Sequence, residues 1–237
     1  MDDGVRGGGA PEGALSDGTY RVDARLLAGD WWILLLLAAD AAFGVWAWSR
    51  LPARVPTHWG LDGQPDGWGP AWVNALLIPA TAIFLYLLVL LLPLVDPRRR
   101  NYALFPGVLR LLRFLAPAVM VVLHVLAVRA SLGYAVDMSL AFRVLMPAFF
   151  IVLGNQMGRI RFNYFVGIRV PWTLDNEEVW NRTHRLAGKL WVTGGVIALG
   201  FLLLPPLPGT IAMAAVMGLA TLVSVVYSFW ISRGLNP

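Results

Sequence analysis

Beyond residue 30 the chain is a succession of long apolar runs separated by short polar stretches. Six runs stand out, at 31–49, 71–95, 104–128, 139–157, 188–204 and 209–232. A helix needs about 20 residues, at about 1.5 Å each, to cross a hydrocarbon core of roughly 30 Å. Lipid offers no partner to backbone N–H and C=O groups, so such runs must be helical. The pattern predicts an all-α, polytopic membrane protein with six transmembrane helices. The fifth run is the shortest, and "PPLPG" at 205–209 separates it from the sixth.

Composition agrees. Of 237 residues, 58% are hydrophobic and 14% charged, with a mean hydropathy of +0.65. Soluble domains carry about 25% charged residues, so these charges are too few to cover a globular surface in water. There is no cysteine, which excludes disulfides, thiolate metal sites and cysteine nucleophiles. Residues 1–29 have no apolar run and are rich in Gly, Asp, Ala and Arg. They read as a disordered cytoplasmic tail and not as a signal peptide.

The net charge of +5 is distributed unevenly. Thirteen basic residues fall in the tail, the loops after the second and fourth runs, and the C-terminus; three (Arg50, Arg54 and Arg129) fall in the opposite loops. The positive-inside rule then places both termini in the cytoplasm of a plasma-membrane protein and sends the loop at 56–69 outside. Tryptophans follow the same layout. Trp31, Trp32, Trp191 and Trp230 lie at inner ends, Trp46, Trp48 and Trp72 at outer ends, and the rest in two long loops. No span has one at its middle, which matches an aromatic belt.

Those two loops hold the candidate chemistry. The outer one, "PTHWGLDGQPDGWG", combines turn-forming Gly and Pro with His58, Trp59, Asp62, Asp66 and Trp68. It predicts a compact loop with its rings at the outer headgroups and a His–Asp hydrogen bond. One His with two turn aspartates is a poor match to a zinc site, and no metal or other cofactor is expected. The inner one runs from Gly154 to Trp191. Asp175 and Glu178 suggest an N-cap and its capping-box partner, opening an amphipathic helix that lies on the inner leaflet between spans 4 and 5. Lipid attraction accounts for Arg159, Arg161 and Arg169. It does not account for Asn155, Asn163, Tyr164, Pro171 and Trp172.

"NQMGRIRFNYFVGIRVPWTLDNEEVWNRTHRLAGK" resembles the signature of the SdpI family of bacterial immunity proteins, and "LPARVPTHWGLDGQPDGWG" is similar to a module of unknown function found at the start of those proteins. The resemblance implies a tail at 1–29, a two-span module at 30–95 and a four-span SdpI-like domain at 96–237. It also implies a receptor or immunity protein that protects against a secreted antimicrobial peptide. The outer-loop residues His58, Trp59, Asp62, Asp66 and Trp68 would face the peptide toxin. Asn155, Arg161, Asn163, Tyr164, Arg169, Trp172, His184 and Arg185 would form a cytoplasmic face able to hold a repressor protein. No direct nucleic-acid contact is expected.

Charges inside the bilayer are the remaining candidates. Asp40 lies near mid-span, where a charge costs about 2.5–3.5 kcal/mol and needs a partner. Arg143 and His124 are the candidates for that partner. Arg110 and Arg113 sit close enough to an inner end to snorkel. Ala214 and Gly218 form a small-xxx-small pair suited to close helix contact. No HExxH motif and no Ser–His–Asp set is present, so no enzyme is expected. A transporter or channel for a small solute or ion is the alternative reading.

Overall fold

The computed structural model describes residues 18–235. Six of its helices are long and apolar enough to span a bilayer: Trp31–Trp48, Val73–Val95, Pro106–Ser131, Met138–Met157, Glu177–Leu203 and Pro206–Leu235. No more than a third of any of them is buried against the rest of the chain. Their outer surfaces carry Leu35, Phe84, Val95, Leu203 and Trp230, all strongly exposed. Surfaces of that kind require lipid as solvent, and the protein is a multi-pass membrane protein.

The main elements in chain order are α1 (Ala24–Gly29), α2 (Trp31–Trp48), β1 (Arg54–Trp59), β2 (Pro65–Pro70), α3 (Ile78–Val95), α4 (Pro106–Ser131), α5 (Met138–Met157), α6 (Pro171–Asp175), α7 (Glu177–Gly200) and α8 (Pro206–Leu235). A π-helical stretch, Val73–Leu77, leads into α3, and a 3₁₀ turn, Phe201–Leu203, ends α7. Because the spans alternate in direction, all the loops fall at two ends. One holds the β1–β2 hairpin. The other, the motif end, holds the segments 96–105 and 158–176.

The spans form two groups, α2 with α3 and α4, and α5 with α7 and α8. The third span therefore packs on the second. One apolar cluster joins the groups at the motif end, through Leu37, Tyr102, Leu109, Met157, Ile160 and Trp180. Close approach of α5 and α7 rests on Gly154 and Gly188, where a Cβ on either would press against the other helix's backbone. The Ala214–Gly218 face of α8 makes no such contact: both residues are exposed, and a Cβ on Gly218 would meet nothing within 4 Å.

Four expectations need correction. The sequence predicts a disordered tail through residue 29. Residues 1–17 lie outside the described residues, but 18–29 are packed. Tyr20 is buried and its hydroxyl donates to the Leu90 carbonyl at 3.1 Å. Asp23 caps α1 by accepting from the Leu26 N–H at 2.8 Å.

The glycine-rich loop is an antiparallel hairpin, with Val55 opposite Gly69 and His58 opposite Gly67. Its tip closes through the Gly63 N–H on the Gly60 carbonyl, at 2.9 Å. Gly63 has φ of 81°, and a side chain there would run into Ser139 of α5. Both conditions call for glycine.

The expected interfacial helix and the fifth span are one continuous helix. Asn176, and not Asp175, is its cap, accepting from the N–H groups of Glu178 and Val179 at 2.8 and 3.2 Å. The helix runs unbroken to Gly200, since its internal glycines are packing positions: Gly188 and Gly195 face α5 and Gly194 faces α8.

Arg113 does not snorkel. It is buried beside Asp30, with Nε 2.5 Å and Nη2 3.1 Å from the carboxylate oxygens. The apolar stem and the charged head both point inward because Asp30 is buried on the facing helix end.

Candidate functional site

At the motif end the folding of residues 158–176 depends on a buried polar hub. Asn163 is fully buried. Its Oδ1 accepts from the N–H groups of Phe165 and Val166, and its Nδ2 donates to the carbonyls of Arg161 and Val166. These bonds satisfy a buried loop backbone that has no ladder of its own. Asp96, on the preceding inter-span segment, accepts from the Arg98 N–H at 2.7 Å and the Tyr164 N–H at 2.9 Å. The Tyr102 hydroxyl lies 2.6 Å from Asp96 and 3.0 Å from Asn163, with one proton to share between them. Burial, reinforced by the hydrogen bond to Asp96, pushes the Tyr102 phenol well above its ordinary range.

Arg98 completes the link. Its guanidinium lies between the rings of Phe162 and Tyr164, 3.5 and 4.2 Å from their centroids, and donates to the Leu174 carbonyl at 3.1 Å. Asn101 donates to the Phe162 carbonyl at 2.7 Å. Asp96, Asn101 and Tyr102 were not singled out from the sequence. They occupy "DPRRRNY", which reads as an ordinary basic loop until the second segment is seen folded against it.

His184 ties the same segment to α7. Its Nδ1 lies 2.8 Å from the Trp180 carbonyl and its Nε2 accepts from the Ile168 N–H at 3.0 Å. A carbonyl can only accept, so Nδ1 carries the proton and the ring is neutral. The imidazole stacks on Trp180, whose Nε1 donates to the Ile160 carbonyl at 3.0 Å. Gly167 faces this pair with φ of 119°, and a Cβ there would overlap Nε2. Trp172 donates to Ser228 at 2.5 Å and packs on Phe229, which anchors α6 to α8.

The eight motif residues therefore divide. Asn163, Trp172 and His184 hold the segment together, and Tyr164 covers Arg98. Asn155, Arg161, Arg169 and Arg185 are exposed and, with Arg159, Arg182 and Lys189, make this end strongly cationic.

At the opposite end the hairpin is tied down by Asn74. Its Nδ2 donates to the Pro56 carbonyl at 3.0 Å and to Ser131 of α4 at 2.9 Å. The π-helical stretch that holds Asn74 turns this side chain inward; such stretches often mark functional positions. The hairpin reaches across both helix groups and roofs a cavity of 670 Å³. The roof includes His58, Trp59 and Asp66; the apolar walls include Met120, Leu123, Met138 and Phe142; Ser139 and Thr210 supply hydroxyls. His58 Nδ1 lies 2.5 Å from Asp66 Oδ1, with both side chains largely exposed. Trp68 and Asp62 face outward. Among the described residues no group of three metal-ligating side chains is present.

Between the two ends, α2 and α4 share two buried pairs. Asp30 meets Arg113 and also accepts from the Tyr86 hydroxyl at 3.3 Å. Asp40 meets His124, Oδ1 to Nδ1, at 2.7 Å. Asp40 Oδ2 and His124 Nε2 have no partner. Arg143 is not part of this pair. It donates to the Phe201 and Leu204 carbonyls at 3.3 and 3.0 Å, capping the end of the α7 helix.

Residues 159–228 match the SdpI/YfhL protein family, and residues 35–83 match a domain of unknown function, DUF1648. The immunity protein SdpI of Bacillus subtilis (strain 168) is 29% identical over 147 residues, which is 62% of this chain and 68% of that protein. No solved structure matches.

Proposed function

We propose that this chain is a member of the SdpI family, as the match of residues 159–228 and the 29% identity to an immunity protein support, and that it is a membrane immunity protein that protects its cell from a secreted antimicrobial peptide. The observation that carries the reading is the hairpin-roofed cavity at the end opposite the basic motif. By the positive-inside rule the motif end faces the cytoplasm with both termini, and the hairpin faces out, where a secreted peptide arrives. His58, Trp59, Asp62, Asp66 and Trp68 form the peptide-facing surface.

Signalling is the finer part of the proposal. The two helix groups share a core at the motif end and part around the cavity at the hairpin end. A peptide that binds one spacing of the groups better than another shifts their equilibrium. The exposed Asn155, Arg161, Arg169 and Arg185 are then the face that holds a cytoplasmic repressor.

The test is tolerance to the cognate peptide in cells. Trp59→Ala with Trp68→Ala removes tolerance at unchanged membrane abundance. Full tolerance in that double variant sinks the hairpin as the peptide site. A transporter reading draws on a different feature, the mid-span Asp40–His124 pair with its unpartnered atoms. Solute or proton flux through the purified protein in liposomes distinguishes it from a receptor.

A further inference from the structure

We propose that the cavity beneath the hairpin binds an apolar chain carrying a positively charged head. The inference rests on the hairpin being the ligand-facing side and specifies the chemistry of what enters. The volume, 670 Å³, lies within the roughly 300–1,000 Å³ range of small-ligand sites. Its walls are the apolar faces of three spans, contributed by Ile78, Met120, Leu123, Met138 and Phe142. Such walls favour a hydrocarbon or aromatic group and discriminate little among them.

The head is selected at the mouth. Asp66 gives one carboxylate oxygen to His58, and the other has no partner among the described residues. Asp62 uses one oxygen on the Gln64 N–H and is exposed. The cations nearby are turned to other groups. Arg54 reaches the Trp68 carbonyl, Arg50 lies over the Trp46 ring, and Arg129 lies over Tyr134. Asp137, just before α5, caps that helix through the Leu140 N–H. Asp66, the carboxylate that lines the cavity, therefore keeps one oxygen for a ligand, with Asp62 exposed on the same hairpin. An ammonium head gains from Asp66, an uncharged head gains nothing there, and an anionic head is repelled.

The ligand is thus a cationic amphiphile or an apolar segment ending in a basic group. Ser139 Oγ, on the buried wall 3.5 Å from Thr210 Oγ1, offers a hydrogen-bond site behind the charge.

The experiment uses the full chain in phosphatidylcholine nanodiscs with three diazirine-bearing dodecyl probes, carrying ammonium, hydroxyl or sulfate heads. Photolabelled residues are mapped by mass spectrometry. The ammonium probe labels Met120, Met138 and Phe142 saturably, about fivefold more than the sulfate probe, the scale of an exposed ion pair. Asp66→Asn removes the preference between heads and leaves labelling in place. Leu123→Trp lowers labelling by all three, with an unchanged melting temperature as the control for folding.

Equal wall labelling by all three heads overturns the proposal. So does labelling confined to lipid-facing positions such as Phe84 and Leu203, or a head preference that survives Asp66→Asn. These outcomes are separate from the immunity reading. Head-selective labelling together with intact tolerance in the Trp59/Trp68 double variant keeps the cavity and discards the hairpin as the peptide site.

Discussion

Asp40 of α2 and His124 of α4 meet at 2.7 Å with neither side chain open to solvent, and each keeps one polar atom without a partner. A second pair, Asp30 with Arg113, joins the start of α2 to the first turns of α4. Ten residues separate the aspartates and eleven the partners, so the pairs act as two rungs about 15 Å apart between parallel helices. Both rungs fix the register of α2 against α4, because sliding either helix by one residue strands a polar group in hydrocarbon.

His124→Ala removes one partner and leaves the Asp40 carboxyl buried alone. Stability falls by about 3 kcal/mol, against a smaller loss for Asp40→Asn, which keeps a hydrogen-bonding group. The Asp40→Asn, His124→Ala double variant loses less than the sum of the two. Thermal melting of the four proteins in one detergent gives the cycle, and strict additivity contradicts a coupled pair.

Gly167→Ala places a methyl group against His184 Nε2 at a backbone angle that side chains avoid. The cost is about 1–3 kcal/mol. His184→Ala leaves the buried Ile168 N–H unpaired, at a similar cost. Limited proteolysis reads both as faster cleavage within 159–176, while the hairpin is cut at the wild-type rate.

Arg98 is held by two ring faces and a carbonyl. Arg98→Ala therefore costs about 1–2 kcal/mol. Arg98→Lys recovers little of it, because an ammonium lacks the planar face that lies between the rings. Equal stability of the lysine variant and the wild type, measured by melting temperature, rules out stacking as the source.

Tyr102 gives the stability a pH dependence. Its phenol is held above the ordinary value of about 10, first by burial and then by its bond to Asp96. A raised acid means the folded chain favours the protonated form. The contribution is complete below pH 10 and falls as pH rises beyond it, since unfolding then frees the phenol to ionise. Tyr102→Phe melts at a lower temperature at pH 7 and loses less between pH 9 and 11 than the wild type. Parallel pH curves for the two proteins contradict this.

The His58–Asp66 hydrogen bond was legible as a turn contact, because "HWGLDGQPDG" brings residues eight apart together by local chain reversal. The Asp40–His124 pair was legible only as one of two choices. Both Arg143 and His124 are polar groups in spans, and the choice between them depends on which helices pack. Tyr20 reads as tail in the sequence because the carbonyl its hydroxyl bonds, that of Leu90, is seventy residues away. Asp96, Arg98 and Tyr102 lacked any local signal, since their partners Asn163, Tyr164 and Phe162 lie more than fifty residues downstream.

By itself the sequence determined the solvent, the number of spans and their approximate limits. Lipid imposes that requirement on each segment separately: every run of about 20 residues must be apolar and must satisfy its backbone internally. Only the tertiary structure decided that the glycine-rich loop is a hairpin over a cavity and that α7 runs unbroken through the expected interfacial helix. It also decided which buried charges pair. Those outcomes depend on contacts between segments far apart in the chain, and hydropathy, summed locally, carries no information about which helix lies beside which.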